Sequence, residues 1–182
     1  MGHVRPPRRV KLLCGLLSGD EDLLAEARRR LAKQFGPIDL VSDIWPFDDT
    51  DYYADEMGDA IKRQFVFFEE LCSVERLPEA KRLTNVLELR LCDELALPHA
   101  TRPVNIDPGY MTHSKFVLAT TKDYSHRLYL SGGIYGEVTL HFESGDWRPW
   151  PWTYPDYAAD TYHAFFRQAR EVYMRQLADD RA

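Results

Sequence analysis

Hydrophobic positions along the chain fall into two periods. VKLLCGLL, residues 10–17, is an unbroken apolar run closed by Ser18 and Gly19, which predicts a buried strand. Leu23, Leu24, Ala27 and Leu31 then recur at helical spacing until Gly36 and Pro37 stop them. Ser18 with Glu21 three residues on reads as the capping box of that helix, with Asp20 and Asp22 at its positive end. IDLVSDIWPFDDTDYY, residues 38–53, alternates loosely and predicts a second strand that runs into an acidic, aromatic turn. Met57, Ile61, Phe65, Phe68 and Cys72 keep a helical spacing, yet FVFF within them is strand-like, and a strand over 63–71 is the reading adopted. Residues 78–97 predict a helix whose apolar stripe is Leu83, Val86, Leu87, Leu91 and Leu95, bracketed by Pro78 and Pro98.

VNI, residues 104–106, predicts a further strand, closed by a Pro108-Gly109 turn. KFVLATT, 115–121, is apolar on both faces and so predicts a central strand. HRLYL and IYGEVTLHF flank Ser131, Gly132 and Gly133 as a hairpin. A three-residue loop there sets Arg127 against Glu137 and Tyr129 against Tyr135, and leaves Leu128, Leu130, Ile134, Val138 and Leu140 to a core face. Residues 145–157, GDWRPWPWTYPDY, predict an ordered Trp/Pro-rich loop rather than regular structure. A last helix over 159–177 turns Tyr162, Phe165, Phe166, Ala169, Val172, Tyr173 and Leu177 inward. The fold class that follows is α+β: a single domain over 1–182 whose first part has the β-α-β-β-α-β order of a ferredoxin-like sandwich. A central strand, a β-hairpin and a C-terminal helix extend it, and residues 1–9 form a basic arm.

Composition changes this picture in what it excludes. The 182 residues are 45% hydrophobic and 29% charged, values of a globular chain. A net charge of -6 argues against holding nucleic acid by phosphate neutralisation. Cys14, Cys72 and Cys92 are odd in number and set among apolar residues, and so read as buried thiols rather than as a disulfide framework. No run of 18 apolar residues and no secretory leader pattern is present, so the expected setting is the cytoplasm of a bacterial-type cell, with no membrane. The phosphate loop GxxxxGK[ST], GxGxxG, HExxH, GxSxG and CxxC are all missing, which lowers the classes they mark.

Chemistry must therefore come from dispersed residues. Asn105 and Asp107, two apart on a strand, suit oxygen ligation of a magnesium- or manganese-type ion, or bracing of the turn that follows. Asp48, Asp49 and Asp51 crowd carboxylates that want a cation, so Asp48 and Asp51 join Asp107 as candidate metal ligands; a solvated acidic loop is the plainer reading. TTKDYSHR, at the end of the central strand, brings Thr121, Lys122, His126 and Arg127 to where sheet proteins bind ligands, or makes a polar turn. With Asn105 and Lys115 these supply anion-binding groups, and His126 or Glu137 is the candidate proton-transfer group. Trp152, Tyr154 and Tyr157 suit stacking on a ring or closure of the core.

FGPIDL, WPFDDTDYY, VNIDPGY, VLATTKDYSHR, GIYGEVTL and WTYPDY occur in that order and closely resemble a bacterial family of uncharacterised proteins, domain of unknown function 4416, over about residues 10–177. Some of its members are labelled GTP-binding. Thr121, Lys122 and Asp123 are consecutive, however, and do not have the spacing of a guanine-reading motif. The resemblance implies a purposeful site at the matching polar residues. The functional expectation is a small enzyme or ligand-binding protein acting on a phosphorylated small molecule or nucleotide. Two other readings are a protein-interaction module using the 145–157 surface, and RNA binding on the sheet, which the acidic charge disfavours.

Overall fold

A computed structural model describes residues 2–48, 57, 60–96 and 102–180. Along the chain these form β1 (Val10–Ser18), α1 (Glu21–Phe35), β2 (Ile38–Val41), β3 (Trp45–Pro46), β4 (Lys62–Cys72), α2 (Leu77–Glu94), β5 (Asn105–Met111) and β6 (Lys115–Thr120). There follow β7 (Leu128–Ser131), β8 (Ile134–Glu143), β9 (Asp146–Pro149) and α3 (Asp160–Asp179). The class is α+β, with one antiparallel sheet in the order β2-β4-β1-β5-β6-β8-β7; β3 is added on β4 and β9 on β8.

The sheet is covered on both faces, which is why VKLLCGLL shows no alternation. Leu12, Cys14 and Leu16 of β1 meet Leu24, Ala27 and Leu31 of α1 and Ala80 and Leu91 of α2. Leu13 faces the other way, toward Phe65 and Phe67 of β4 and Tyr162, Phe166 and Ala169 of α3. Phe65 is the centre of that second layer, with its ring edge-on to Tyr157, Tyr162 and Phe166 at centroid distances of 5.5, 5.1 and 5.0 Å. Among the described residues no helix is long and apolar enough to cross a membrane.

Several expected details come out differently, each for a local reason. The N-cap of α1 is Asp20, which accepts from the Asp22 N–H at 2.8 Å; Ser18 instead ends β1 and donates to the Pro103 carbonyl. Pro108 and Gly109 make no turn, because β5 continues through them to Met111. The inward face of α2 is rotated: Leu77, Ala80, Lys81, Thr84 and Cys92 are buried, while Val86 and Leu95 of the expected stripe are exposed. In the hairpin, Tyr129 does face Tyr135, but β7 is an edge strand with Leu128 and Leu130 exposed. A bulge on β8 at Thr139 sends Val138 and Leu140 to opposite faces of the sheet. The Trp/Pro-rich segment begins with a regular strand, β9, that buries Trp147 completely.

Candidate functional site

The site lies where the sheet forks. β5 and β6 pair only from Gly109 to Met111, and toward Asn105 the two strands part. The dipeptide at the fork explains the parting. Pro108 has no N–H to offer a neighbouring strand, and a Cβ on Gly109 would collide with the Val117 carbonyl of β6, so the close approach needs glycine. Beyond the fork, side chains of α2 replace the missing strand. Lys81 Nζ donates to the Ile106 carbonyl at 3.0 Å, and Glu88 Oε1 accepts from the Ile106 N–H at 2.7 Å.

These same side chains begin a charged wall. Lys81 also reaches Asp107 at 3.1 Å, Asn105 donates to Asp107 at 2.6 Å, and Arg102 donates to Asn105 at 2.7 Å. Burial opposes ionisation of Asp107, but Lys81, Arg63 and the bonds from Lys81 and Asn105 outweigh it and hold the carboxyl below its ordinary value. Glu88 goes the other way: burial dominates its partial compensation by Lys81 and pushes the carboxyl up to about 7. Arg63 closes the floor, with Nη2 on Asp156 at 2.7 Å and its guanidinium within 5.0 to 5.5 Å of the Phe47, Phe65 and Tyr157 ring centres. Arg63 Nε, Arg63 Nη1 and the Tyr157 hydroxyl are buried with no hydrogen-bond partner among the described residues. Gly15 lies beneath them, and a Cβ there would press on the Tyr157 hydroxyl and Arg63 Nη1 at 3.0 and 3.2 Å.

The opposite wall comes from β8 and the loops around it. Arg127 ties it together, donating to Glu137 at 2.7 Å, the Lys122 carbonyl at 3.0 Å and the Tyr154 hydroxyl at 2.8 Å. His126 Nε2 is 3.3 Å from the same Glu137, and its ring stacks on Tyr124 and Trp152 at interplanar angles of 14° and 12°. Trp152 Nε1 donates to the Val138 carbonyl and Thr153 to that of Thr139, so the aromatic loop is fastened at the β8 bulge. The space enclosed is about 950 Å³, enough for a ligand of nucleotide size.

Of the residues expected from sequence, Asn105, Asp107, Thr121, Lys122, His126, Arg127 and Glu137 all line this cavity. Lys115 does not: it sits at the far end of β6, paired with His141. Asp48 is exposed and outside the cavity lining, although its neighbour Phe47 contributes, and Asp51 lies outside the described residues. No group of three His, Cys, Asp or Glu among the described residues is placed to hold a metal ion, and Asp107 already has an ammonium at its carboxylate. Sequence reasoning missed Arg63, Lys81, Glu88 and Asp156. The available signal for Lys81 was a long cation inside the helix pattern, next to Ala80, one turn before Asn85 and two before Glu88.

Neither the curated proteins nor the solved structures contain a match to this chain. A family model does match residues 8–173, which takes in every element from β1 to most of α3 and every side chain of the cavity named above. The chain belongs to the family described as Domain of unknown function (DUF4416).

Proposed function

We propose that this protein binds, and as an enzyme acts on, a phosphorylated small molecule or nucleotide in the cleft at the β5/β6 fork. One observation carries the reading: a cavity of about 950 Å³ whose walls hold buried ionised pairs, Lys81 with Asp107 and Arg127 with Glu137. Groups of that kind are costly to a fold and are retained where a ligand uses them. Lys122 and Arg102 give the wall positive charge, while His126 beside Glu137 is the proton-handling pair, its ring orientation fixed by stacking. Lys81 neutralises Asp107, so the site needs no divalent ion for that purpose. The strand order β2-β4-β1-β5 with α1 and α2 on one face supports reading the first part as a ferredoxin-like sandwich, and three free, buried cysteines support a cytoplasmic setting.

A thermal-shift panel of nucleotides, sugar phosphates and inorganic phosphate, with and without magnesium, tests the proposal. A ligand at about 100 times its Kd stabilises by roughly 2.7 kcal/mol, which moves Tm by several degrees. Loss of that shift in Lys122→Ala, with the fold intact, supports the reading; a flat panel overturns it. A second reading has its own observation: Trp150 and Trp152, each 38% exposed, stack at 10° on the surface as a platform for a protein partner. A chain that is monomeric by light scattering and retains no partner through Trp150 and Trp152 counts against that reading.

A further inference from the structure

The sheltered carboxyl groups on the cavity walls are not alike. Asp107, Asp156 and Glu137 each have a cation in contact: Lys81 at 3.1 Å, Arg63 at 2.7 Å and Arg127 at 2.7 Å. Glu88, half-buried on the α2 side, has no ion-pair partner among the described residues. Its Oε1 accepts from the Ile106 N–H at 2.7 Å, while its Oε2 has no hydrogen-bond partner among those residues and is not sealed from solvent. The charged groups beside it are already engaged, Lys81 with Asp107 and the Ile106 carbonyl, and Arg102 with Asn105. Asp93, further along α2, is exposed, and Lys122 and His126 stand on the opposite wall. Burial disfavours the Glu88 carboxylate, Lys81, the Ile106 N–H and Arg102 compensate only in part, and Asp107 adds repulsion, so the group titrates at about 7. Asp107 next to it stays ionised, and neighbouring carboxyls held in opposite protonation states have separate roles.

We infer that Glu88, in its acid form, donates a hydrogen bond from Oε2 to an anionic oxygen of the ligand, which therefore binds together with a proton. This rests on the function proposed above and adds a residue and a proton to the binding step. The Ile106 N–H fixes which oxygen carries the proton: Oε1 is occupied as an acceptor, so the acid hydrogen resides on Oε2, the oxygen left open. An ionised Glu88 would repel a phosphoryl oxygen, with no cation of its own in contact to offset the repulsion. The neutral acid removes that repulsion and supplies a charge-assisted O–H···O bond, among the stronger hydrogen bonds a protein can offer. The proton comes from the buffer, goes to Oε2 and stays there in the complex, and no bond in the ligand breaks.

Titration calorimetry on the full chain at pH 8, in buffers of low and high ionisation enthalpy, counts the protons taken up on binding. The probes are the four common ribonucleoside 5′-monophosphates, ribose 5-phosphate and inorganic phosphate. At that pH a phosphate monoester is already ionised and Glu88 is mostly a carboxylate, so roughly half a proton or more is expected to enter with each bound ligand. Glu88→Gln keeps an acceptor for the Ile106 N–H, and in this variant the uptake is expected to vanish while binding persists. Uptake that survives Glu88→Gln resides in the ligand or in another group such as His126, and overturns the inference while the proposed function stands. So does binding with no proton change, or with release of a proton, the sign of a ligand cation settling on the carboxylate. A panel in which nothing binds overturns both. If Glu88→Gln does not fold, carboxyl ¹³C resonances of the parent chain decide: one glutamate titrating near pH 7 is expected to move to higher pH with a saturating probe, and no such movement overturns the inference.

Discussion

Two buried cations lie on one face of one β-ladder and are treated oppositely. Lys11 of β1 is fully buried, and its ammonium has three acceptors: Asp39 at 2.6 Å, the Phe68 carbonyl at 2.8 Å and Gln176 of α3 at 3.0 Å. Arg63 of β4, at the other end of that ladder, has Asp156 and three aromatic rings, and two of its nitrogens have no hydrogen-bond partner among the described residues. An ammonium has three donors and Lys11 uses all of them, clamping α3 to the sheet. A guanidinium has five, and Arg63 keeps part of that capacity beside a cavity. Equal burial therefore does not mean equal purpose. Lys11 spends its whole donor capacity on holding the fold, whereas Arg63 holds unmet donors against the sheet at Gly15, at the edge of the cleft.

Removing the Arg63 guanidinium should cost the most stability. Arg63→Met takes the guanidinium from the Asp156 carboxylate at 3% exposure, and urea unfolding should show a loss of about 3 kcal/mol. Adding Asp156→Leu should recover most of it, because the pair removed together leaves no buried charge. Lys11→Met should cost less, about 1–2 kcal/mol, since Asp39 is 20% exposed and can be hydrated once its partner is gone. Equal losses in the two single variants would dissolve the distinction drawn between the sites.

How far the sequence foretold this division follows from the range over which each cause acts. β1, α1 and α3 were legible because an unbroken run or a helical stripe reports on burial by neighbours on whichever side they lie. Much of the cleft was legible too, since Asn105, Asp107, Lys122, His126 and Glu137 are polar residues within sheet-forming sequence. Pro108-Gly109 was misread because the same dipeptide that makes a turn also suits a fork, and only the neighbour strand decides which. Lys81 and Glu88 were hidden because their acceptor and donor belong to Ile106, some 18 to 25 residues away. Arg63 was hidden by an ambiguous strand and a partner 93 residues distant.

Glu88 makes the stability of the cavity side depend on pH. Its carboxyl, on the cavity side, titrates at about 7 in the folded chain because burial disfavours the charge. An unfolded glutamate titrates near pH 4.3, so between about 4.5 and 7 the folded state binds the extra proton and stability falls as pH rises. Above pH 7 both states are ionised and the loss is complete. Glu88→Gln keeps an acceptor for the Ile106 N–H and should flatten this slope, gaining about 1–2 kcal/mol at pH 8 in denaturant unfolding. An unchanged slope would place the titration elsewhere.

Removing the Tyr157 hydroxyl should change stability least. Tyr157 is buried, its ring packs on Phe65 and Phe116, and its hydroxyl has no hydrogen-bond partner among the described residues. A hydroxyl retained for the fold would lose stability on removal, by about 1 kcal/mol for a typical hydrogen bond. One that only carries an unmet desolvation cost gives Tyr157→Phe a stability within about 0.5 kcal/mol of the parent, or slightly above it. Urea unfolding of the ligand-free protein distinguishes the two. Gly15 underlies the argument, because a strand position left without a side chain is what makes room for that hydroxyl beside Arg63. A core selected for stability alone would fill the space with a phenylalanine, so a neutral or stabilising Tyr157→Phe means that the hydroxyl adds nothing to the fold.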